Sequence, residues 1–168
     1  MDLFGNLCVG SELPPHKKKI PISAPLNGRV KPLDEHPHFR FKLRLMGEGV
    51  LVEPSGYQIV APLDCIVEHF NPTCEQIRLK SKAGIRLVIQ VGINAEKMMG
   101  EGFKPRIKVG QIVKAGTTIL EFDLPKMKRQ LDSTVFAVTV MNSDKLKGVV
   151  PNYRQVRAME DEIMNLLV

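Results

Sequence analysis

Apolar residues along this chain come in short runs, broken at close intervals by turn residues. Asn27-Gly28, Gly47-x-Gly49, Pro54-Ser55-Gly56, Asn71-Pro72, Ala83-Gly84, Val109-Gly110 and Ala115-Gly116 supply the punctuation. Many short strands separated in this way argue for an all-β, antiparallel sandwich or barrel-like fold. From Phe39 to Leu45 the chain alternates strictly between apolar and basic residues, which predicts a half-buried strand. Two further apolar runs, Glu75 to Lys80 and Ile85 to Val91, flank Ser81-Lys82-Ala83-Gly84. Gly84 can take the positive φ that closes such a loop, so the two runs predict a β-hairpin. Pairing Lys80 with Ile85 sets Glu75 opposite Gln90 and Ile77 opposite Val88. Side chains two apart share a face of a strand, so these four are expected together, an acid and an amide ringed by apolar residues.

The segment Ile22 to Val30 is echoed by Ile59 to Val67, with Ala-Pro-Leu at the same place in each. One echo is too little for a repeat array and predicts two related strand-turn units packed together. Lys126 to Leu131, after Pro125, and Asp144 to Val149 predict one short helical turn each. Near the C-terminus, strands are expected around Val156–Ala158 and Ile163–Val168, with a turn at Met159-Glu160-Asp161. Residues 1–19 read as a separate, flexible tail before a single domain over 20–168. Leu3, Phe4 and Leu7 follow helical spacing there, Pro14-Pro15 ends the pattern, and His16-Lys17-Lys18-Lys19 forms a basic link.

Composition narrows the classes. A chain of 168 residues suits one domain with a real core. No apolar run approaches the roughly 20 residues that span a bilayer, and no signal peptide is visible. The three cysteines show no metal-ligand spacing and fit a reduced, cytoplasmic setting. A net charge of +6 raises the question of an anionic partner. Aromatic residues are only 5%, however, and no nucleic-acid-binding motif is present, so nucleic acid is not an expected partner. Gly47-Glu48-Gly49 and Gly100-Glu101-Gly102 do not continue into a nucleotide-binding loop and read as turn glycines. The four histidines lack metal-ligand spacing, and His36-Pro37-His38 reads as a surface loop. No metal and no cofactor are expected.

An ordered series of short motifs then adds a resemblance: Ala24-Pro25-Leu26-x-Gly28, Gly47-x-Gly49, Pro54-x-Gly56, Val60-Ala61-Pro62-x-Asp64, Gly92-Ile93, Gly100-Glu101-Gly102-Phe103-Lys104 and Glu121-Phe122-Asp123-Leu124-Pro125. The series resembles the glucose-type enzyme IIA of the bacterial phosphoenolpyruvate-dependent sugar phosphotransferase system. The resemblance implies a sandwich with a duplicated strand motif, and a site where two histidines face each other, one carrying a phosphoryl group and the other supporting it. The matching positions here are Gln90 and Glu75. Thr73 matches a site threonine; Phe41, Met46, Ile77 and Val88 match an apolar ring around the site. His38 and Asn94 stand where the family has aspartates that meet basic partner residues. The tail resembles a conditional helix in weak peripheral contact with anionic membrane.

Three readings follow. The first is a cytoplasmic, regulatory enzyme IIA paralogue that is not phosphorylated and binds phosphotransferase proteins, transporters or metabolic enzymes through the Glu75/Gln90 face. The amide of Gln90 supports this, because its nitrogen lone pair is delocalised and is no nucleophile. The second is an active phosphocarrier with an unusual acceptor, Glu75 or His69. The third is a basic module for anionic lipid or nucleic acid, built from Arg40, Lys42, Arg44, Arg78, Lys80 and Arg86.

Overall fold

The computed structural model describes residues 5–168. In chain order the strands and helices are β1 (Lys19–Ser23), β2 (Gly28–Pro32), α1 (Phe39–Lys42), β3 (Glu48–Pro54), β4 (Gln58–Val60), β5 (Cys65–Phe70), β6 (Gln76–Ser81), β7 (Arg86–Gln90), β8 (Phe103–Pro105), β9 (Ile112–Val113), β10 (Thr118–Phe122), α2 (Leu124–Gln130), β11 (Phe136–Val140), β12 (Gly148–Pro151), β13 (Gln155–Val156) and β14 (Glu162–Leu167). Among the described residues they form an eight-stranded sheet in the order β13-β2-β3-β11-β7-β6-β5-β9 and two three-stranded sheets, β1-β14-β12 and β4-β10-β8. Every strand pairing is antiparallel. The sheets stay open at their edges and close no barrel.

Alternation sorts the central strands into two apolar layers. Ile77 and Leu79 of β6 and Leu87 and Ile89 of β7 are fully buried in the main core with Leu26, Ile59, Ile119 and Phe136. Val88 and Ala137 alternate with these core residues and so face the other side. There they join Leu33 and Phe41 in a smaller cluster, with Met46 and Met141 packed on it. This second cluster seats α1 against the eight-stranded sheet.

The echoed segments do pack together: the Val60 N–H donates to Pro25 O at 2.7 Å, and Ala24 and Ala61 are both fully buried. Gly28 is required by space, because a Cβ there would lie 2.3 Å from Glu53 O of the neighbouring β3. Cys65, at the matching place, pairs with Ser81 and Val113 without that crowding.

The hairpin exists, but its register is shifted by one. Lys80 pairs with Arg86, Ile77 with Ile89 and Gln76 with Gln90. The loop has three residues rather than four, since the Ser81 N–H donates to Ile85 O at 2.9 Å and Gly84 takes φ +93°. Ile77 therefore belongs to the main core and does not share a face with Val88. The alternating stretch Phe39–Leu45 is not a strand. His38 caps α1, accepting from the Arg40 N–H, and Arg44 turns the chain at φ +61°. Its guanidinium is buried, with Nη1 2.6 Å from Asp34 and Nε 3.1 Å from Glu48. That ion-paired position removes Arg44 from any exposed basic module.

Other expectations are met or refined. Helix α2 and strands β13 and β14 lie where expected, while the turn at Ser143–Lys145 is a single 3-10 turn before β12. Leu3 and Phe4 lie outside the described residues. Leu7 makes a parallel bridge with Val149, and Asn6 Nδ2 donates to Ser143 O at 2.8 Å, so this part of the N-terminal segment rests on β12.

Candidate functional site

The ends of β6 and β7, the loops beside them and α1 enclose a cavity of about 230 Å³. Glu75, Gln76 and Gln90 line it from the sheet; Asn71, Ile93, Asn94 and Glu96 from the loops; His36, His38, Arg40, Phe41 and Met46 from the α1 side. Strict alternation would keep Glu75 and Gln76 on opposite faces. Both reach the cavity because Cys74 takes the left-handed conformation at φ +63°, leaving Glu75 ahead of the regular strand. A turn prepares this: the Cys74 N–H donates to Asn71 O at 2.9 Å. The side chain of Asn71 then accepts from the Gln76 N–H at 3.0 Å.

The polar groups are fixed by one another. Asn71 Nδ2 donates to Glu75 Oε1, and Thr73 Oγ1 donates to Glu75 Oε2, so each carboxylate oxygen has an internal donor. Arg78 Nε donates to Gln76 Oε1 at 2.8 Å, and Gln76 Nε2 donates to Gln90 Oε1 at 3.0 Å. This chain orients the Gln90 amide with its oxygen engaged and its NH₂ left as a donor.

Two histidines border the same cavity. His36, expected on the surface, is 1% exposed. Its Nδ1 accepts from the His38 N–H at 3.1 Å, and the Nδ1 of His38 accepts from the Arg40 N–H at 3.2 Å. A neutral imidazole that accepts at Nδ1 carries its proton on Nε2. Both rings are thus held in the tautomer that offers N–H rather than a lone pair. Burial depresses the pKa of His36 to about 4, opposed by a backbone hydrogen bond with His38 and helped to a lesser degree by the charge of His38, so the ring is neutral near pH 7. Nε2 of His36 is buried and has no hydrogen-bond partner among the described residues.

Other nucleophiles are remote or inert. Cys74 is 2% exposed, and burial, reinforced by the charge of Glu75, raises its thiol to about 11, so it is not a thiolate near neutral pH. His69 is exposed on β5 opposite Arg78 and does not line the cavity. Among the described residues no group of three or more His, Cys, Asp or Glu is arranged to hold a metal ion.

The structure brings together Glu75, Gln90, His38, Asn94, Phe41 and Met46 around the cavity; Thr73 acts through Glu75 and Val88 lies beneath in the small apolar cluster. Ile77 lies on the far side of the sheet. Sequence reasoning missed His36, Gln76, Asn71 and Arg40 as lining residues. It also missed an exposed apolar rim: Phe39, Leu43, Leu45 and Met99 are 57%, 52%, 55% and 83% exposed. Four non-glycine residues with positive φ, Arg44, Cys74, Asn94 and Met99, sit in the segments that frame the cavity. Such strained conformations persist only where the surroundings hold them, and they cluster at functional sites.

Comparison with known proteins bears on the family and the fold. Residues 20–146 match the family model described as "phosphoenolpyruvate-dependent sugar phosphotransferase system, EIIA 1". A glucose-specific EIIA component of Bacillus cereus is 36% identical over 128 residues, which cover 76% of this chain and 78% of the relative. The glucose-specific EIIA component of Oceanobacillus iheyensis is 30% identical over 166 residues, covering 98% of this chain and 99% of the relative. Among solved structures, glucose permease IIA from Mycoplasma capricolum superposes with a TM-score of 0.80 at 22% identity, over 89% of this chain and 96% of that one, a likeness of fold.

Proposed function

Because this chain belongs to the EIIA 1 family of the phosphoenolpyruvate-dependent sugar phosphotransferase system, we propose that it is a cytoplasmic, glucose-type component that binds partner proteins through the cavity face without itself carrying a phosphoryl group. The observation that carries this reading is that neither the Gln90/Glu75 pair nor either cavity histidine offers a ring-nitrogen lone pair. Gln90, at the position of a family histidine, has an amide, which is not nucleophilic. His36 and His38 spend their Nδ1 lone pairs on backbone N–H groups. Glu75 has a donor on each oxygen, and among the described residues no group of three or more His, Cys, Asp or Glu stands there to hold a metal that would shield an acyl phosphate.

The rest of the face supports binding. Phe39, Leu43 and Leu45 expose apolar surface on α1, which Phe41 and Val88 seat, and on the turn that follows it. Exposed apolar groups around a polar centre suit a protein partner better than solvent. Partners of the phosphotransferase system, or transporters and enzymes under its control, fit this reading. Weak membrane contact through residues 1–19 remains part of it, because Lys17, Lys18 and Lys19 each add about 1 kcal/mol near an anionic surface.

A labelled-phosphate assay tests the proposal. Phosphoenolpyruvate, enzyme I and the histidine phosphocarrier protein are incubated with wild type and with Glu75→His/Gln90→His. The expected result is no label on wild type. Stable label on wild type would overturn the reading and favour the phosphocarrier alternative. Label on the double variant alone would show that the docking surface survives and that these two positions silence it.

A further inference from the structure

The cavity of an enzyme IIA built around histidines needs a nitrogen lone pair at its centre. Here the lining includes several donors. The Gln90 NH₂ is left free by the bond that engages its oxygen. His38 carries its proton on Nε2, and Arg40 belongs to the lining on the α1 side. Glu75 and Glu96 line the cavity as acceptors, and the carboxylate of Glu75 already takes one internal donor on each oxygen.

The surface around the cavity has the same bias. Arg78 stands opposite Val88 across the β6–β7 pair, and Lys80 stands opposite Arg86. These side chains share the outer sheet face with the cluster that seats α1, which brings in Arg40 and Lys42. Among the described residues, none of Arg40, Lys42, Arg78 and Lys80 makes an ion pair with a carboxylate. The nearby acids are largely engaged: Asp34 with buried Arg44 at 2.6 Å, and Glu68 with Arg86 at 3.7 Å. Glu35 and Glu96 are the exceptions on this side.

We infer that the face recognises an acidic protein surface: a partner carboxylate side chain enters the cavity to meet Arg40, Gln90 and the His38 N–H, while apolar partner residues cover Phe39, Leu43 and Leu45. The inference rests on the non-phosphorylated reading above, because donors replace the lone pair only if no phosphoryl group is received here. Replacement of acid by His38 and Asn94 at the rim removes the charge that would welcome a basic partner, and unpaired Arg and Lys repel one. A cavity of about 230 Å³ at the centre of the face also favours a protein side chain over a lipid surface, which has no fixed projection to fill it.

The test uses the full chain, nuclear magnetic resonance and two matched, blocked peptides, Leu-Glu-Glu-Leu and Leu-Lys-Lys-Leu. The acidic peptide is expected to shift the Gln90 side-chain amide, the His36 and His38 ring nitrogens and the backbone of α1, with a dissociation constant of about 1 mM. Arg40→Gln/Arg78→Gln weakens it about fivefold or more, and Lys114→Gln, next to β9 at the Ser81 end of the sheet, leaves it unchanged. Raising salt from about 0.05 M to about 0.5 M weakens it as well. Equal binding of the lysine peptide, shifts confined to other surfaces, or no shifts at all would overturn the inference. Co-sedimentation with anionic phosphatidylglycerol vesicles that Arg40→Gln/Arg78→Gln abolishes would also overturn it, in favour of a lipid-binding face. Failure of the peptide test with an unlabelled wild type in the phosphate assay removes this inference alone, whereas label on wild type removes the reading beneath it.

Discussion

Replacing His36 by asparagine removes a buried titratable ring while leaving an oxygen near the place of Nδ1 to accept the His38 N–H. In the folded protein the imidazole has a pKa of about 4, depressed by burial; in the unfolded chain it returns to its ordinary 6.5. Between those values the unfolded chain binds a proton that the folded one refuses, so acidification favours unfolding. The stability that accompanies neutral His36 is whole above the unfolded pKa and drains away as pH falls toward the folded one. At about 1.36 kcal/mol per pH unit the full gap is worth about 3.4 kcal/mol, of which about 2 kcal/mol is lost between about pH 7.5 and about pH 5. His38, Glu75, Glu96 and Arg40 share the cavity with His36. They are present in both proteins, so the difference between wild type and His36→Asn isolates the ring. Urea unfolding at a series of pH values measures it. The variant is less stable at neutral pH, because it is smaller, and the two curves converge by about 2 kcal/mol on acidification. Parallel curves would refute the reasoning, since they would mean that His36 is as easily protonated in the fold as out of it.

Further outcomes follow from the same structure. Ile77→Ala is expected to cost about 2–5 kcal/mol in denaturant unfolding, as for a fully buried aliphatic residue, whereas Phe39→Ala leaves stability within about 0.5 kcal/mol and weakens partner binding instead; the reverse pattern would restore the unshifted hairpin register. Arg44→Met is expected to cost about 3–5 kcal/mol, because it leaves Glu48 buried beside an apolar side chain, and a loss under about 1 kcal/mol would mean that the pair is not formed. Gly84→Ala is expected to cost about 1 kcal/mol from its positive φ alone, since open space surrounds the added methyl group. A neutral effect in thermal unfolding would show that the hairpin loop has another conformation.

The fold was legible where local signals and packing agree. Dense turn residues marked the strands, Pro125 marked the start of α2, and the echo of Ile22–Val30 in Ile59–Val67 marked two segments that do touch, through Val60 and Pro25. It was illegible where exposed residues are apolar for a reason other than burial. Phe39-Arg-Phe-Lys-Leu-Arg-Leu45 has the period of a strand because Phe39, Leu43 and Leu45 stay apolar in solvent while Arg44 is drawn inside by Asp34 and Glu48. Periodicity reports the face on which apolar groups lie, and it misleads when a binding rim and a buried ion pair exchange their usual places. The one-residue error in the hairpin has a smaller cause. Ser81 closes the ladder with Ile85 as well as starting the turn, and nothing in the tetrapeptide distinguishes a three-residue loop from a four-residue one.

The site divides in the same way. Glu75, Gln90, His38 and Asn94 were found as positions, but what they do depends on backbone that a sequence does not display. Cys74 in a left-handed conformation admits Glu75 and Gln76 to one cavity, and two successive backbone N–H groups, of His38 and Arg40, decide which nitrogen of each histidine bears a proton. That last detail separates two chemistries with identical composition. An imidazole whose Nδ1–H instead donated to a carboxylate or carbonyl would direct its Nε2 lone pair outward and be a nucleophile. Here the backbone donates to Nδ1, so the outward nitrogen is a donor. Two histidines therefore border the cavity, and in the reading proposed above they serve recognition of an acceptor rather than attack on phosphorus. Rings placed in the reverse sense on the same backbone would make the phosphocarrier reading the better one, which is why ring-nitrogen shifts of His36 and His38, free and with acidic peptide, bear on both proposals at once.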